Sequence, residues 1–249
     1  MKRILLILFC AVMASYVSLA QVADSTVFRN PVKASDFKLT QLIVPGSLMA
    51  TGALVHFAFH KPIDEAWNKQ TSAWALDGQK QVADDYLRFL PEVMHIGYEY
   101  IGAEPQHGLT DRTIEFLWSF AAIGALGYGT RAIVNSPRPD GSNSHSFPSG
   151  HACISFAGAE LVRMEYGWGC GAGAYAVATG VCVLRLYNNE HWLSDLMFGA
   201  GVGILSAHIG GWLLKPTKKI MGIDQENVSF ATTVDPVSGA FCPTLALRF

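Results

Sequence analysis

The sequence predicts an all-α, polytopic membrane helical bundle with a short C-terminal tail that forms a weak β-hairpin. Half of the 249 residues are hydrophobic and only 15% are charged, whereas soluble domains carry about 25% charged residues; mean hydropathy is +0.25. The apolar residues gather in runs near the lower end of the roughly 17–25 residues needed to cross a bilayer. Those runs are dense in small residues, among them Gly171, Gly173, Ala174, Ala176, Gly199, Gly201 and Gly203, which suits helices that approach closely in lipid.

Each element follows in chain order. Lys2 and Arg3 precede an apolar stretch, and Ser18-Leu19-Ala20 supplies small residues before Gln21, so 1–20 reads as a signal peptide, with an uncleaved anchor as the alternative. Residues 21–39 are polar and read as an exported linker, 40–219 as the membrane helical body and 220–249 as the tail. Within the body, 43–59 is apolar but interrupted by Pro45 and His56, and 86–102 is a weak span carrying Arg88, Glu92, His95 and Glu99. Stronger spans follow at 114–128, 168–184 and 192–214, with a shorter helix at 151–162 between the first two. In the tail, 227–234 and 240–249 alternate loosely around Asp235-Pro236-Val237-Ser238-Gly239, the pattern of a hairpin.

A net charge of -2 gives no global field for gathering nucleic acid, so no nucleic-acid partner is expected. The five cysteines include no CxxC pair, which argues against a cysteine-based zinc site. Cys153 and Cys182 lie in apolar stretches and read as small core residues, although a Cys170–Cys182 pair stays open.

The chemistry is concentrated between Arg131 and Asp195. Arg131 is followed after six residues by Arg138-Pro139; then comes Pro148-Ser149-Gly150-His151; then Arg185, five residues, His191, three residues and Asp195. Ionisable residues beside lipid are expensive and usually functional. Arginine forks match phosphate oxygens and stay charged at any working pH, and converging forks neutralise charge that develops in a transition state. Ser149 and Gly150 precede a helix, whose free N–H groups add donors. One histidine can attack phosphorus while an acid orients its ring, and the other can protonate the leaving oxygen. The arrangement requires neither metal nor cofactor. His145 and Asp140 are read as turn or cap residues, Trp192 as an interfacial aromatic, and the other histidines, His56, His60, His95, His107 and His208, receive no role.

These spacings resemble the type 2 phosphatidic acid phosphatases of the phosphatidate phosphatase and vanadium haloperoxidase superfamily, over roughly residues 84–214. Arg131, Arg138 and Pro139 match the first of the family's three motifs, 148–151 the second without change, and Arg185, His191 and Asp195 the third. Arg131 stands where the family usually has Lys, and Leu184 where it has Ser. The resemblance implies His191 as nucleophile, Asp195 as its orienting partner and His151 as general acid, with Arg131, Arg138, Arg185, Ser149 and Gly150 holding phosphate. It also implies a lipid phosphatase whose partners are the bilayer and a lipid phosphate, among which lipid A phosphates and undecaprenyl pyrophosphate are favoured. A vanadate-dependent haloperoxidase and a non-catalytic membrane binding protein are the alternatives.

If 192–214 starts at the catalytic end, it exits at Lys215, Lys218 and Lys219, with Arg112 and Arg163 on that same side. Basic loops favour the cytoplasm, which places the site on the periplasmic face of a bacterial inner membrane. After signal cleavage that orientation requires only one of 43–59 and 86–102 to cross.

Overall fold

A computed structural model describes residues 37–72, 80–223, 228–234 and 241–247; the signal peptide expected at 1–20 and the linker up to residue 36 lie outside the described residues. A 3-10 turn at Leu39–Leu42 leads into α1, Ile43–Ala58. Pro45 falls in the first turn of α1, where a missing N–H removes no helical bond, so the predicted interruption leaves the helix whole. A π-type turn, His60–Glu65, precedes α2, Ala66–Ser72. Next come α3, Ala83–Leu87, and α4, Leu90–Gly97, the latter prolonged by a 3-10 turn to Ile101 and ended by Gly102 at φ 95°. Helix α5, Leu109–Ile123, passes through a π segment, Gly124–Tyr128, into α6, Gly129–Ile133. Helix α7 covers Gly150–Tyr187 and α8 covers Leu193–Met221. The tail contains the hairpin the alternation suggests: β1, Val228–Val234, runs antiparallel to β2, Phe241–Leu247.

Helix α7 is a folded-back pair rather than one rod. Gly167 breaks it with φ 80° and ψ -174°, a left-sided conformation that glycine adopts without a Cβ penalty. The arms 150–166 and 168–187 then lie against each other: Phe156 meets Tyr175, whose hydroxyl donates to Glu160 at 2.6 Å, and Trp168 stacks on Tyr175 at 5.9 Å. At about 1.5 Å per residue each arm is roughly 25–30 Å long, the thickness of a hydrocarbon core. The helix predicted at 151–162 and the span predicted at 168–184 are these two arms.

Helix α8 is the hub, packed against α1, α5 and α7, while α4 packs on α7. Glycines set these crossings. A Cβ on Gly201 would stand 2.7 Å from Pro45 O of α1, one on Gly158 2.7 Å from Glu92 N of α4, and those on Gly203 and Gly210 would overlap Cys153 O and Glu115 O. Helices α1, α4, α5 and α8 and both arms of α7 therefore run between two common ends. Leu39–Ala58, Gly150–Tyr187 and Leu193–Met221 are long and apolar enough to cross a membrane. The distribution of polarity agrees: Asp64, Glu92, Arg112, Glu115, Glu160, Glu165 and Arg185 are buried while Ile43, Val44, Leu54, Phe57, Val93, Leu117, Trp168 and Val183 are exposed. That suits lipid as the solvent of the outer face.

Segments 43–59 and 86–102 both traverse the bundle, the second because Glu92 and His95 turn inward and are buried. The condition that only one of them crosses is therefore not met. An exported 21–39 linker and a periplasmic site exclude one another once α1 crosses, since the start of α1 and the motif residues lie at opposite ends.

Cys153, Cys170 and Cys182 are free thiols, so no Cys170–Cys182 bond forms. Gly203→Ala should lower stability by about 1–3 kcal/mol, the usual cost of overpacking. Gly180→Ala, whose Cβ would meet nothing within 4 Å, should leave it unchanged; thermal unfolding of the detergent-solubilised protein distinguishes the two.

Candidate functional site

The three motifs meet at one end of the bundle because the start of α7, the end of its second arm and the start of α8 share a small core of Ala152, Leu186 and Leu196. A backbone bond from Ser149 N–H to Asp195 O, 3.1 Å, locks the two helix starts together. Ser149 is fully buried and occupies the N-cap of α7. Its amide, read from sequence as a phosphate donor, is thus engaged by α8 in this structure.

His191 and Asp195 sit at the start of α8 at 1% and 0% exposure. His191 Nδ1 faces Asp195 Oδ2 at 3.3 Å. The same oxygen accepts from Trp192 N–H at 2.9 Å and from the Ser146 hydroxyl, so the carboxylate caps its own helix while it faces the imidazole. With Nδ1 turned to Asp195, Nε2 is the nitrogen left for chemistry.

Arg138 and Arg185 converge. Arg138 Nη1 donates to Glu190 Oε2 at 3.0 Å, and Arg185 Nη2 donates to that same oxygen. One carboxylate oxygen held by two guanidinium groups marks a place built for an oxyanion. Arg185 is 3% exposed and is held from behind by buried Asp84 at 2.7 Å. Asn188 clamps that strip of chain, donating to Gln81 O at 2.7 Å and accepting from Gln81 N–H at 2.7 Å. Arg131 lies to one side: it donates to Pro148 O at 2.6 Å, covers the Tyr128 ring at 5.3 Å, and flanks Gly150, whose added Cβ would stand 3.3 Å from Arg131 Nη2.

His151 opens α7, with Nε2 2.9 Å from Asp85 Oδ1 and 3.2 Å from Arg88 Nη1. The hydrogen bond with His151 holds the Asp85 carboxyl below its ordinary range. At the rim, Lys80 donates to Asp140 at 2.8 Å and to Glu190 at 3.4 Å. Burial opposes ionisation of Asp140, but the hydrogen bonds from Lys80 and Ser142 hold its pKa down to about 2. Asp140 also makes the turn expected of it, accepting from Ser142 N–H at 3.0 Å.

The loop that carries Arg138 is pinned at two points. Phe147, 1% exposed, is wedged between His56 and Phe198 with ring centroids 4.4 and 4.6 Å away, and Trp192 Nε1 donates to Pro137 O at 2.8 Å. Trp192, read from sequence as an interfacial aromatic, is therefore a loop anchor. Sequence reasoning also passed over a polar patch behind Asp195. Asp64 accepts from Ser194 N–H at 3.0 Å and from its hydroxyl at 2.6 Å, and His56 Nδ1 stands 3.8 Å from Asp195 Oδ1. Asp84, Asp85, Arg88 and Glu190 were passed over too. Asp84 and Asp85 fall in the weakly apolar stretch before α4, and only the adjacency of Glu190 to His191 could have drawn attention to it.

Together the fold and this end of the bundle define a helical membrane protein with arginines and histidines gathered around the Glu190 carboxylate. Residues 112–215 match the family model described as the PAP2 superfamily, a stretch that contains all three motifs. A Lipid A 1-phosphatase of Porphyromonas gingivalis is 46% identical over 80 residues, covering 30% of this chain and 18% of the relative. The chain thus matches less than a fifth of that relative's length. No solved structure matches the chain.

Asp64→Ala should cost about 1–3 kcal/mol, because it leaves buried donors of Ser194 unpaired. A fall in the midpoint of thermal unfolding, absent in Lys61→Ala on the same turn, is the measurement that checks it.

Proposed function

We propose that the protein is a metal-independent lipid phosphatase that works through a phosphohistidine intermediate. The observation that carries this reading is the single carboxylate oxygen gripped by both Arg138 and Arg185, beside a buried His191–Asp195 pair. A phosphoryl group takes the place of the Glu190 carboxylate between the two guanidinium groups, with Arg131 and the Gly150 amide on its flank; Ser149 shapes the start of α7. His191 Nε2 attacks phosphorus and the bond from phosphorus to the lipid oxygen breaks. His151 delivers its proton to that leaving oxygen, while Asp195 stabilises the positive charge on His191. Water then attacks the phosphohistidine, giving up a proton to His151, and inorganic phosphate leaves.

A site at the mouth of a helical bundle admits a headgroup while acyl chains stay in the bilayer. The likeness to a Lipid A 1-phosphatase favours a lipid A phosphate over undecaprenyl pyrophosphate. The basic residues Lys215, Lys218 and Lys219 at the other end favour a cytoplasmic position for that end. The motif residues then face the periplasm of the inner membrane, and the start of α1 lies in the cytoplasm.

His191→Ala should lower phosphate release from the preferred lipid by about 10⁴-fold or more while membrane insertion persists, with products identified by mass spectrometry across lipid A, polyprenyl and phospholipid phosphates. Unchanged turnover defeats the nucleophile assignment. For orientation, single cysteines introduced at exposed Ile220 and at exposed Lys80 in a cysteine-free background should differ. A membrane-impermeant maleimide applied to the periplasmic side should label position 80 and spare position 220; the reverse pattern inverts the protein.

A further inference from the structure

A second group of ionisable side chains lies at the opposite end of the bundle, where the proposed reaction has no use for it. His95 of α4, Glu115 of α5 and Glu165 near the end of the first arm of α7 each offer a ligand atom, all within 4.8 Å of one another. Their exposures are 0%, 1% and 1%. Neither ring nitrogen of His95 nor Glu115 Oε1 has a hydrogen-bond partner among the described residues, although a buried polar group without a partner costs about 1–3 kcal/mol. The nearby cations are committed elsewhere. Arg112, fully buried, donates to His95 O at 3.2 Å, to Tyr166 Oη at 2.8 Å and to Glu99, while Lys218 is held by Asp111 at 2.8 Å. His107 supports the group from outside: Glu165 accepts from its backbone N–H at 2.6 Å, and His107 Nδ1 lies 2.8 Å from the other carboxylate oxygen. Two buried carboxylates and an imidazole with unmet nitrogens thus face one small space.

We propose that His95, Glu115 and Glu165 hold a divalent transition-metal ion, of the class of Zn²⁺ or Mn²⁺, that clamps α4, α5 and α7 together. Imidazole with carboxylate is a donor set that suits these ions. Bond lengths of about 2.0–2.2 Å place ligands of one ion within about 4.4 Å of one another, so side-chain rotation of about an ångström closes the site. His107 orients Glu165 as an outer partner, the arrangement that fixes metal ligands and tunes their affinity. The ion supplies the positive charge that two ionised glutamates need inside a bundle, and in this role it takes no part in the chemistry at the other end.

The test is elemental analysis of the full chain, purified in detergent without chelator. About one equivalent of Zn²⁺ or Mn²⁺ is expected in the wild type and in His191→Ala, with at least a tenfold drop in His95→Gln and Glu115→Gln. After stripping by chelator, His107→Ala should bind added Zn²⁺ about 10–100-fold more weakly than the wild type. Should the ligand variants fail to fold, the stripped wild type decides: Zn²⁺ or Mn²⁺ at a hundred times its Kd should raise Tm by roughly 5–10 °C. Metal at background level in the wild type with no change in Tm overturns the proposal, as does undiminished metal in well-folded Glu115→Gln. Because His191→Ala is expected to keep its metal, failure of this site and failure of the phosphatase reading are separable.

Discussion

Lipid offers helices no hydrophobic force for holding together, so their association rests on close van der Waals packing and on hydrogen bonds between helices. In this protein α8 meets that demand against α1, α5 and α7 together, and its crossing with α7 positions the motif residues. Gly199 and Gly203 let α8 lie directly on the backbone of α7 near Ser149 and Cys153, and the Ser149-to-Asp195 bond fixes the register of one helix start against the other. The positions of His151, His191 and Asp195 follow from that crossing. Arg185 joins them because the second arm of α7 returns to the same end after Gly167. Remove the close approach, and residues far apart in sequence no longer share one small volume.

The interior carries charge and the exterior is greasy, an inversion of the soluble pattern. Several buried ionisable groups have identifiable partners: Glu160 with Arg163 at 2.6 Å and His208 at 3.0 Å, Arg185 with Asp84 at 2.7 Å, Asp64 with Ser194. The Glu160–His208, Arg185–Asp84 and Asp64–Ser194 contacts join different elements and so specify which faces meet, in a medium where apolar side chains are indifferent between protein and lipid. The Arg138, Arg185 and Glu190 contacts extend the same network to the end of the bundle.

Much of this was legible in the sequence. The motif residues stand out because arginine, histidine and aspartate at fixed spacings are rare in apolar runs, and the spans at 168–184 and 192–214 follow from hydropathy alone, whereas the helix covering 114–123 is too short to meet the same measure. The weak spans were hard to read because Pro45, His56, Glu92 and His95 depress local hydropathy, although in three dimensions they cap a first turn or face inward. The reversal at Gly167 was hidden because Tyr166-Gly167-Trp168 has no proline or run of turn residues, only a glycine whose positive φ the sequence does not reveal. Asp84, Asp85, Arg88 and Glu190 serve the site through contacts with residues from distant segments. The group of His95, Glu115 and Glu165 assembles from three separate helices, and no spacing rule along one segment can register that.

If the proposed phosphatase reading holds, Glu190 gives the arginine pair a built-in selection by charge. Its carboxylate already lies between Arg138 and Arg185, so an incoming anion must exchange with it rather than enter an undefended field. A singly charged phosphodiester brings no more charge than the group it displaces and gains little from the trade. Under the proposed phosphatase reading, a doubly ionised terminal phosphate offers twice the charge and an extra oxygen, so the resting contact would tilt occupancy towards end groups rather than diester linkages.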